Sequence, residues 1–268
     1  MKLSQRLEAV ASLVSNGSFV ADVGTDHAYI PIFLAKHKKA PYVLALDVND
    51  GPLEIASRNI KESGYENIIE VRKSDGITNL AFGEVDSIVI AGMGGNLIKN
   101  ILLSNLEVVK GVKECILQPQ SEISKLRSFL VDNKFNFIDE DIVKEDGKYY
   151  FIMKVTLGGM NKNPERIEPY KADDSKTWSL EELTFGKHLL MNKNSILREY
   201  LLKEKQTKMD ILVTLESEIS NIEENNILEM CKKEHMKIAN KKKNIYNRRK
   251  EILAELNLIK GGLLYYDV

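Results

Sequence analysis

Short apolar runs alternate with amphipathic stretches from the start of the chain to about Val155, and their spacing predicts its elements. Leu3, Leu7, Val10, Ala11 and Val14 recur at helical spacing, so a helix is expected over about 3–14, ended by Asn16-Gly17. A buried strand follows from Phe19, and an apolar helix is expected from Tyr29 to about Lys36, with Pro31 tolerated in its first turn. Further strands are expected at Val43–Asp47, Ile68–Val71, Ser87–Ala91 and Cys115–Gln118, the last stopped by Pro119. Helices fall between them: Pro52 to Ser63 stopped by Gly64, one starting in Gly92-Met-Gly-Gly95, and one over about Glu122–Leu130. Asn136–Val143 and Tyr149–Val155 then flank Glu145-Asp-Gly147, a hairpin signal.

Strands alternating with helices imply a parallel, doubly wound α/β sheet. Dehydrogenase-type sheets continue with further strand–helix units where this chain places its hairpin. An antiparallel hairpin is the ending of the class I methyltransferase, Rossmann-like sheet, and residues 1–160 are assigned to such a domain. Met160–Lys176 reads as a polar linker. Beyond it, Leu212, Leu215, Ile219 and Ile222 form one stripe, and Ile238, Ile245, Ile252 and Ile259 a second at heptad spacing. Glu223-Glu-Asn-Asn226 separates the stripes, so residues 161–268 are expected to form an α-helical, antiparallel coiled-coil domain; one long helix with a weak spot is the competing expectation.

Bulk composition removes some classes and leaves others. Lys+Arg 38 against Asp+Glu 39 is balanced, so total charge points to no partner. The two cysteines, Cys115 and Cys231, belong to no metal-binding spacing and suit a reducing compartment, Cys115 as a buried small apolar residue. No cluster suggests a metal. No run is apolar enough for a membrane span, and the start is too polar for a signal peptide, so a soluble cytoplasmic protein is expected. Charge distribution says more. Nine Lys/Arg and one acid, Glu234, fill 232–250, whereas 216–229 holds five Glu and no Lys/Arg. Lys241, Lys242 and Arg248 are candidate phosphate contacts, as is Lys36 in Lys36-His-Lys-Lys39. A solvated, salt-laced coiled-coil face is the alternative reading.

The candidate chemistry collects at the expected C-terminal ends of the strands, where ligands of open α/β sheets bind. After the first strand come Asp22, Gly24, Thr25, Asp26 and His27. A pyrophosphate would be repelled by two carboxylates, but a ligand with positive charge suits them. S-adenosylmethionine carries a sulfonium and an ammonium. Asp47 ends the second strand and suits a ribose, though an acid there also suits NAD or a helix cap. Asp75 suits an adenine amino group, with Gly76 leaving room for the ring; a plain turn is the alternative. Gly92 and Gly94 allow close approach of backbone to ligand, or tight strand–helix packing, and Met93 can lie on a flat base.

Asp22-Val-Gly-Thr-Asp-His-Ala-Tyr-Ile-Pro31, Ala91-Gly-Met-Gly-Gly95, Leu117-Gln-Pro119 and Glu145-Asp-Gly147 together resemble the bacterial tRNA (adenine-22 N1)-methyltransferase family, TrmK type. The resemblance spans nearly the whole chain. Asp26 in place of the second glycine of the usual Gly-x-Gly loop is that family's own pattern, and Phe185-Gly-Lys187 resembles its Phe-Gly-Pro with Lys187 in place of proline. The resemblance implies methyl transfer from S-adenosylmethionine to N1 of adenine 22 in the tRNA D-arm. A class I methyltransferase acting on protein or a small molecule is the alternative. Asp26 is expected to stabilise the cationic product base, or else to hold the donor's ammonium. Tyr29 is expected to stack on or hydrogen-bond the base. His27 is expected to touch donor or base, and Gln118 with Gly94 to shape the base pocket. tRNA is the expected partner, and a monomer is favoured.

Overall fold

The computed structural model describes residues 3–157, 178–224 and 232–267, and side chains over 3–157, 178–222 and 239–267. The expected linker 160–176, Cys231, the side chain of Ile238 and the Asn225-Asn226 turn lie outside these residues.

Five parallel strands run β1 (Phe19–Val23), β2 (Tyr42–Asp47), β3 (Ile69–Lys73), β4 (Ser87–Gly94) and β5 (Glu114–Ser121). The hairpin strands β6 (Asn136–Glu145) and β7 (Lys148–Thr156) complete one sheet in the order β3-β2-β1-β4-β5-β7-β6, with β7 antiparallel to both neighbours. The strands are apolar at consecutive positions because both faces are covered. Ala21, Val23, Leu44, Leu46, Ile88, Ile90 and Leu117 point to one face, under α4 (Gly95–Ser104), α5 (Leu106–Gly111) and α6 (Ile123–Asp132). Val20, Val43, Ala45, Val89 and Ile116 point to the other, under α1 (Gln5–Leu13), α2 (Tyr29–Lys36) and α3 (Asp50–Ser63). Each valine, leucine or isoleucine among them stabilises the fold by about 1.5–3 kcal/mol when fully buried. Cys115 is buried, and burial pushes its thiol up to about 12, so it is an inert core residue.

The β6–β7 turn is the two-residue connection expected from Asp146-Gly147. Both residues have positive φ (48° and 75°), the type I′ geometry that matches strand twist. Two expectations need correction. The fourth and fifth strands do not stop at Ala91 and Pro119; they stay paired to Gly94 and Ser121 through irregular register around Met93. A bulge leaves Pro119 without a ladder donor to supply, so the proline does not end the strand. The following helix accordingly starts at Gly95, not Gly92.

The C-terminal region begins with two short helices that the periodicity did not reveal, α7 (Leu180–Phe185) and α8 (Lys187–Met191). A capping box between Ser179 and Glu182 starts α7. Then α9 (Ser195–Glu224) and α10 (Lys232–Leu264) pack antiparallel, as the ion pairs Arg249–Glu216 (3.2 Å) and Lys208–Glu255 (2.6 Å) require. Ile245, Ile252 and Ile259 are buried, the heptad core that was expected. At its base this region shares a core with the sheet: Ile142 and Phe151 pack with Phe185, Leu189, Leu190, Leu197, Leu201 and Ile259.

A buried ion pair ties the two regions together. Arg127 Nε lies 2.8 Å from Glu140 Oε1, and both side chains are 0 % exposed. Arg127 also donates to the carbonyls of Leu183 and Thr184, and Glu140 accepts the His188 N–H at 3.0 Å. Gly186, at φ +98°, is required there: a Cβ would lie 2.8 Å from Glu140 Oε1. Further along α9, Glu199 accepts from Tyr149, and Lys203 donates to Gly147 in the β6–β7 turn. The helix therefore runs past the edge where β1, β4 and β5 end, and its last five turns or so, about 30 Å, extend beyond it.

Candidate active site

β1 ends in a turn that only glycine permits. Gly24 has φ +73°, and a Cβ on it would meet Met93 Cε at 2.1 Å. The N–H groups of Gly24 and Thr25 both donate to Leu46 O at 2.8 Å, which fixes the turn to the end of β2. Asp22 is 5 % exposed. Burial pushes its carboxyl up to about 7; the adjacent Thr25 hydroxyl, buried without a well-formed hydrogen bond, offsets part of this, and Asp47 adds to it.

The elbow then carries strain. His27 and Ala28 both sit in the left-handed region (φ 59° and 56°), conformations that cost non-glycine residues of order 1 kcal/mol each. Their support is visible: Asn59 of α3 donates to His27 O at 2.9 Å, and the His27 ring stacks on Tyr29 at 5.2 Å with 15° between planes. Asp26 is exposed, 3.1 Å from His27 Nε2. Asp26, His27 and Tyr29 are thus one cluster at the mouth of the sheet's carboxyl edge.

Asp47 Oδ1 accepts the Asn49 N–H at 2.8 Å, turning the chain into α3, and its other oxygen has no partner among the described residues. Asp75 is exposed in the next loop. Gly76, at φ +58°, turns its Cβ direction towards Ile101, 3.1 Å from where a Cβ would stand. Gly94 and Gly95 likewise serve packing, their Cβ positions meeting Ser121 Oγ at 3.0 Å and backbone of Ser121 and Glu122 at 2.9 Å. Gly94, expected to help shape the base pocket, is half-buried and packs against Ser121. Gly92 differs. It is exposed at φ +81°, with nothing nearer its Cβ position than Arg6 Nη1 and Gln120 Nε2 at 3.7 Å. Met93, half-buried, lies across Gly24 and links the ends of β1 and β4.

Gln118 was expected to face the substrate, but it is fully buried and its amide is spent on Arg6, Gly92 and Pro119. Arg6 and Asn59 are site residues that motif reasoning missed, since each stands in an ordinary helical pattern. Lys36, a candidate phosphate contact, stands about 10 Å from the site along the axis of α2, which starts at the site and runs away from it. Next to it, Lys39 donates to the carbonyls of Ala11 and Ser12 and closes α1.

On the hairpin, the two arginines of the basic stretch both meet acids. Arg249 pairs with Glu216, and Arg248 with Glu251 (2.8 Å) and Glu255 (3.8 Å). Arg248, a candidate phosphate contact, belongs to an ion-pair network and keeps 45 % of its side chain exposed. Lys241 and Lys242 have no ion pair among the described residues, and Lys241 lines an open cleft between the helices with Leu215, Asn244 and Ile245. Among the described residues, no group of three His, Cys, Asp or Glu is placed to hold a metal, and no helix is long and apolar enough to cross a membrane.

The arrangement suits a cationic ligand. Asp22, Asp26 and Asp47 converge on the ends of β1 and β2, and none of the three pairs with Lys or Arg among the described residues. Comparison with known proteins agrees. A family model described as a methyltransferase domain matches residues 3–153. The chain is 40 % identical over 158 residues, 59 % of this chain and 66 % of the relative, to the tRNA (adenine(22)-N(1))-methyltransferase of Bacillus subtilis strain 168. It is similar to the crystal structure of the B. subtilis M1A22 tRNA methyltransferase TrmK, with TM-score 0.72 and 30 % identity over 98 % of this chain and 99 % of that one. It is also similar to M. capricolum TrmK in complex with S-adenosyl-homocysteine, with TM-score 0.65 and 27 % identity over 97 % and 100 %.

Proposed function

This chain belongs to the bacterial tRNA (adenine-22 N1)-methyltransferase family, and from that premise we propose that it transfers a methyl group from S-adenosylmethionine to N1 of adenine 22 in tRNA. The observation that carries the site assignment is the set of three acidic residues with no Lys or Arg partner among the described residues, Asp22, Asp26 and Asp47, at the ends of adjacent strands.

When bound, S-adenosylmethionine supplies a methyl group already activated on a sulfonium. Adenine N1 attacks through its own lone pair, the carbon–sulfur bond breaks with its electrons left on sulfur, and the base becomes cationic. No strong base is needed, so this chain's residues act by placing the partners and by balancing charge; alignment alone supplies roughly 7–11 kcal/mol. Asp47 is the acceptor for the donor's ribose hydroxyls through its free oxygen, and Asp75 the candidate acceptor for its adenine amino group. Gly24, Thr25 and His27 line the donor's methionine end, with Met93 packed across Gly24. Asp26, exposed beside the stacked His27–Tyr29 pair, is placed to accept from the target adenine's amino group and to balance its new charge. Tyr29 is the surface for the base itself.

N1 lies on the pairing edge of adenine, so the base must leave its stack before reaction. The hairpin extends from the same edge of the sheet as the site, and Lys241 and Lys242 are its candidate phosphate contacts.

Asp22 makes this pocket pH-sensitive. Its carboxyl titrates near 7 in the folded chain against 3.8 unperturbed, so ionisation is disfavoured by folding. Stability from this residue is full below about pH 4 and is lost as pH rises through about 7. A cation bound nearby favours the carboxylate, so binding expels a proton and donor affinity should rise from pH 6 to pH 8. Asp22→Asn should flatten that rise. Calorimetric titrations at the two pH values check both statements, and an equal slope in the variant would remove Asp22 from the explanation.

The function itself is tested by supplying labelled donor to unmodified tRNA and digesting the product to nucleosides. Label in 1-methyladenosine, and none when position 22 is guanosine, is the expected result. Label appearing instead in protein or small molecules would redirect the assignment to another methyltransferase substrate.

A further inference from the structure

We infer that Arg6 is a preset receptor for an anionic oxygen group at the methyl-transfer site, held in position by the buried amide of Gln118. The inference rests on the proposed methyl transfer and adds a cationic subsite to it. Arg6 lies in the first turn of α1, and its Nη1 is 2.8 Å from Gln118 Oε1. The same oxygen accepts the Gly92 N–H at 3.1 Å, and Gln118 Nε2 donates to Pro119 O at 3.0 Å. Two donors on one atom and an acceptor on the other leave this amide a single orientation. The guanidinium also lies 5.5 Å from the Tyr150 ring, and Nη1 is 3.7 Å from where a Gly92 side chain would begin. It is thus aimed at the open end of β4 and clamped from two sides.

What Arg6 lacks is an acid. Among the described residues it pairs with no carboxylate, whereas two other partly or fully buried arginines do: Arg127 with Glu140 at 2.8 Å, Arg72 with Glu84 at 2.7 Å and Glu70 at 2.9 Å. A neutral amide and an aromatic ring orient a guanidinium without cancelling its charge. Four of its five N–H donors remain for a ligand. The elbow across the site is acidic and repels anionic oxygen, so Arg6 supplies the complementary charge. Two groups carry the required chemistry: the carboxylate of the donor's methionine tail, and the phosphate beside the target nucleotide.

The test compares the wild type with Arg6→Met, which keeps the stem against Tyr150, and Arg6→Lys, which keeps the charge without the fork. Calorimetry with S-adenosylhomocysteine and with methylthioadenosine, which lacks the carboxylate, reads the donor arm; KM for tRNA at several salt concentrations reads the phosphate arm. If the carboxylate is the ligand, R6M weakens S-adenosylhomocysteine about ten- to hundred-fold and leaves methylthioadenosine unchanged. If the phosphate is the ligand, both affinities hold, KM for tRNA rises about tenfold, and the salt dependence loses about one counterion. R6K should recover part of the loss in either case. Gln118→Glu keeps the side-chain shape but gives Arg6 a carboxylate partner, so it should mimic R6M. The inference is overturned if R6M leaves both the S-adenosylhomocysteine affinity and the tRNA KM within twofold of wild type and alters only thermal stability. Failure of the wild type to bind S-adenosylhomocysteine would instead defeat the proposed function.

Discussion

Asp26→Ala is expected to lower kcat for tRNA methylation by about 10²–10³-fold, the range seen when one preorganised charge-stabilising group is removed. The methyl group arrives as the base turns cationic, so a carboxylate held close contributes more in the transition state than in the ground state. Asp26 is suited to that work because it is not used elsewhere. Its side chain is 78 % exposed, and the one side chain it pairs with among the described residues is His27. For the same reason the variant should fold normally, with stability within about 0.5 kcal/mol of wild type. Asp26→Asn keeps the size and an acceptor but loses the charge. If charge balance is the role, it should be nearly as slow as the alanine variant, with S-adenosylhomocysteine affinity intact. If Asp26 holds the donor's ammonium instead, affinity falls and single-turnover rates at saturation stay near wild type. Full activity in both variants would remove Asp26 from the mechanism.

Arg127→Ala is expected to give the largest loss of stability, about 3–5 kcal/mol, because it leaves a buried glutamate charged and unpaired. Glu140 cannot turn to solvent, as both partners are 0 % exposed. Arg127 also holds the carbonyls that end α7, and Glu140 holds a first-turn N–H of α8, that of His188, so the damage should concentrate where the C-terminal helices meet the sheet. Melting should fall by of order 10 °C for a chain of this size, and proteolysis should begin in the C-terminal helices. The double replacement Arg127→Met with Glu140→Leu removes both charges and should cost much less. A double variant as unstable as the single would mean the pair acts through shape and not charge.

The elbow was legible because its demands are local. An apolar run breaking at Gly24, followed by Asp26 and His27, announces a strand, a turn and an acidic corner within a few residues. Asp146-Gly147 announced its own turn in the same way. Gly76 and Gly94 show the limit of this reading: a glycine signals that something approaches closely, but not what. Ile101 and Ser121 supplied the answers here. The distance of Lys36 from the site was not legible either, since a helix beginning at the site carries its last residues towards the other edge.

The separated acidic and basic stretches near the C-terminus show the same limit. Along the chain they suggest a basic arm, yet the antiparallel register places Glu216 against Arg249, 33 positions away, so the charge of that pair is spent internally. Strand and helix order, the closing hairpin, the heptad core and the acidic corner followed from residue order, because burial period and turn chemistry are properties of neighbours. Which glycines face open space, which arginines keep their charge and how Gln118 presents Arg6 from 112 positions away were decided only when the sheet brought distant residues together, because hydrogen bonding and ion pairing depend on distance in space and not along the chain.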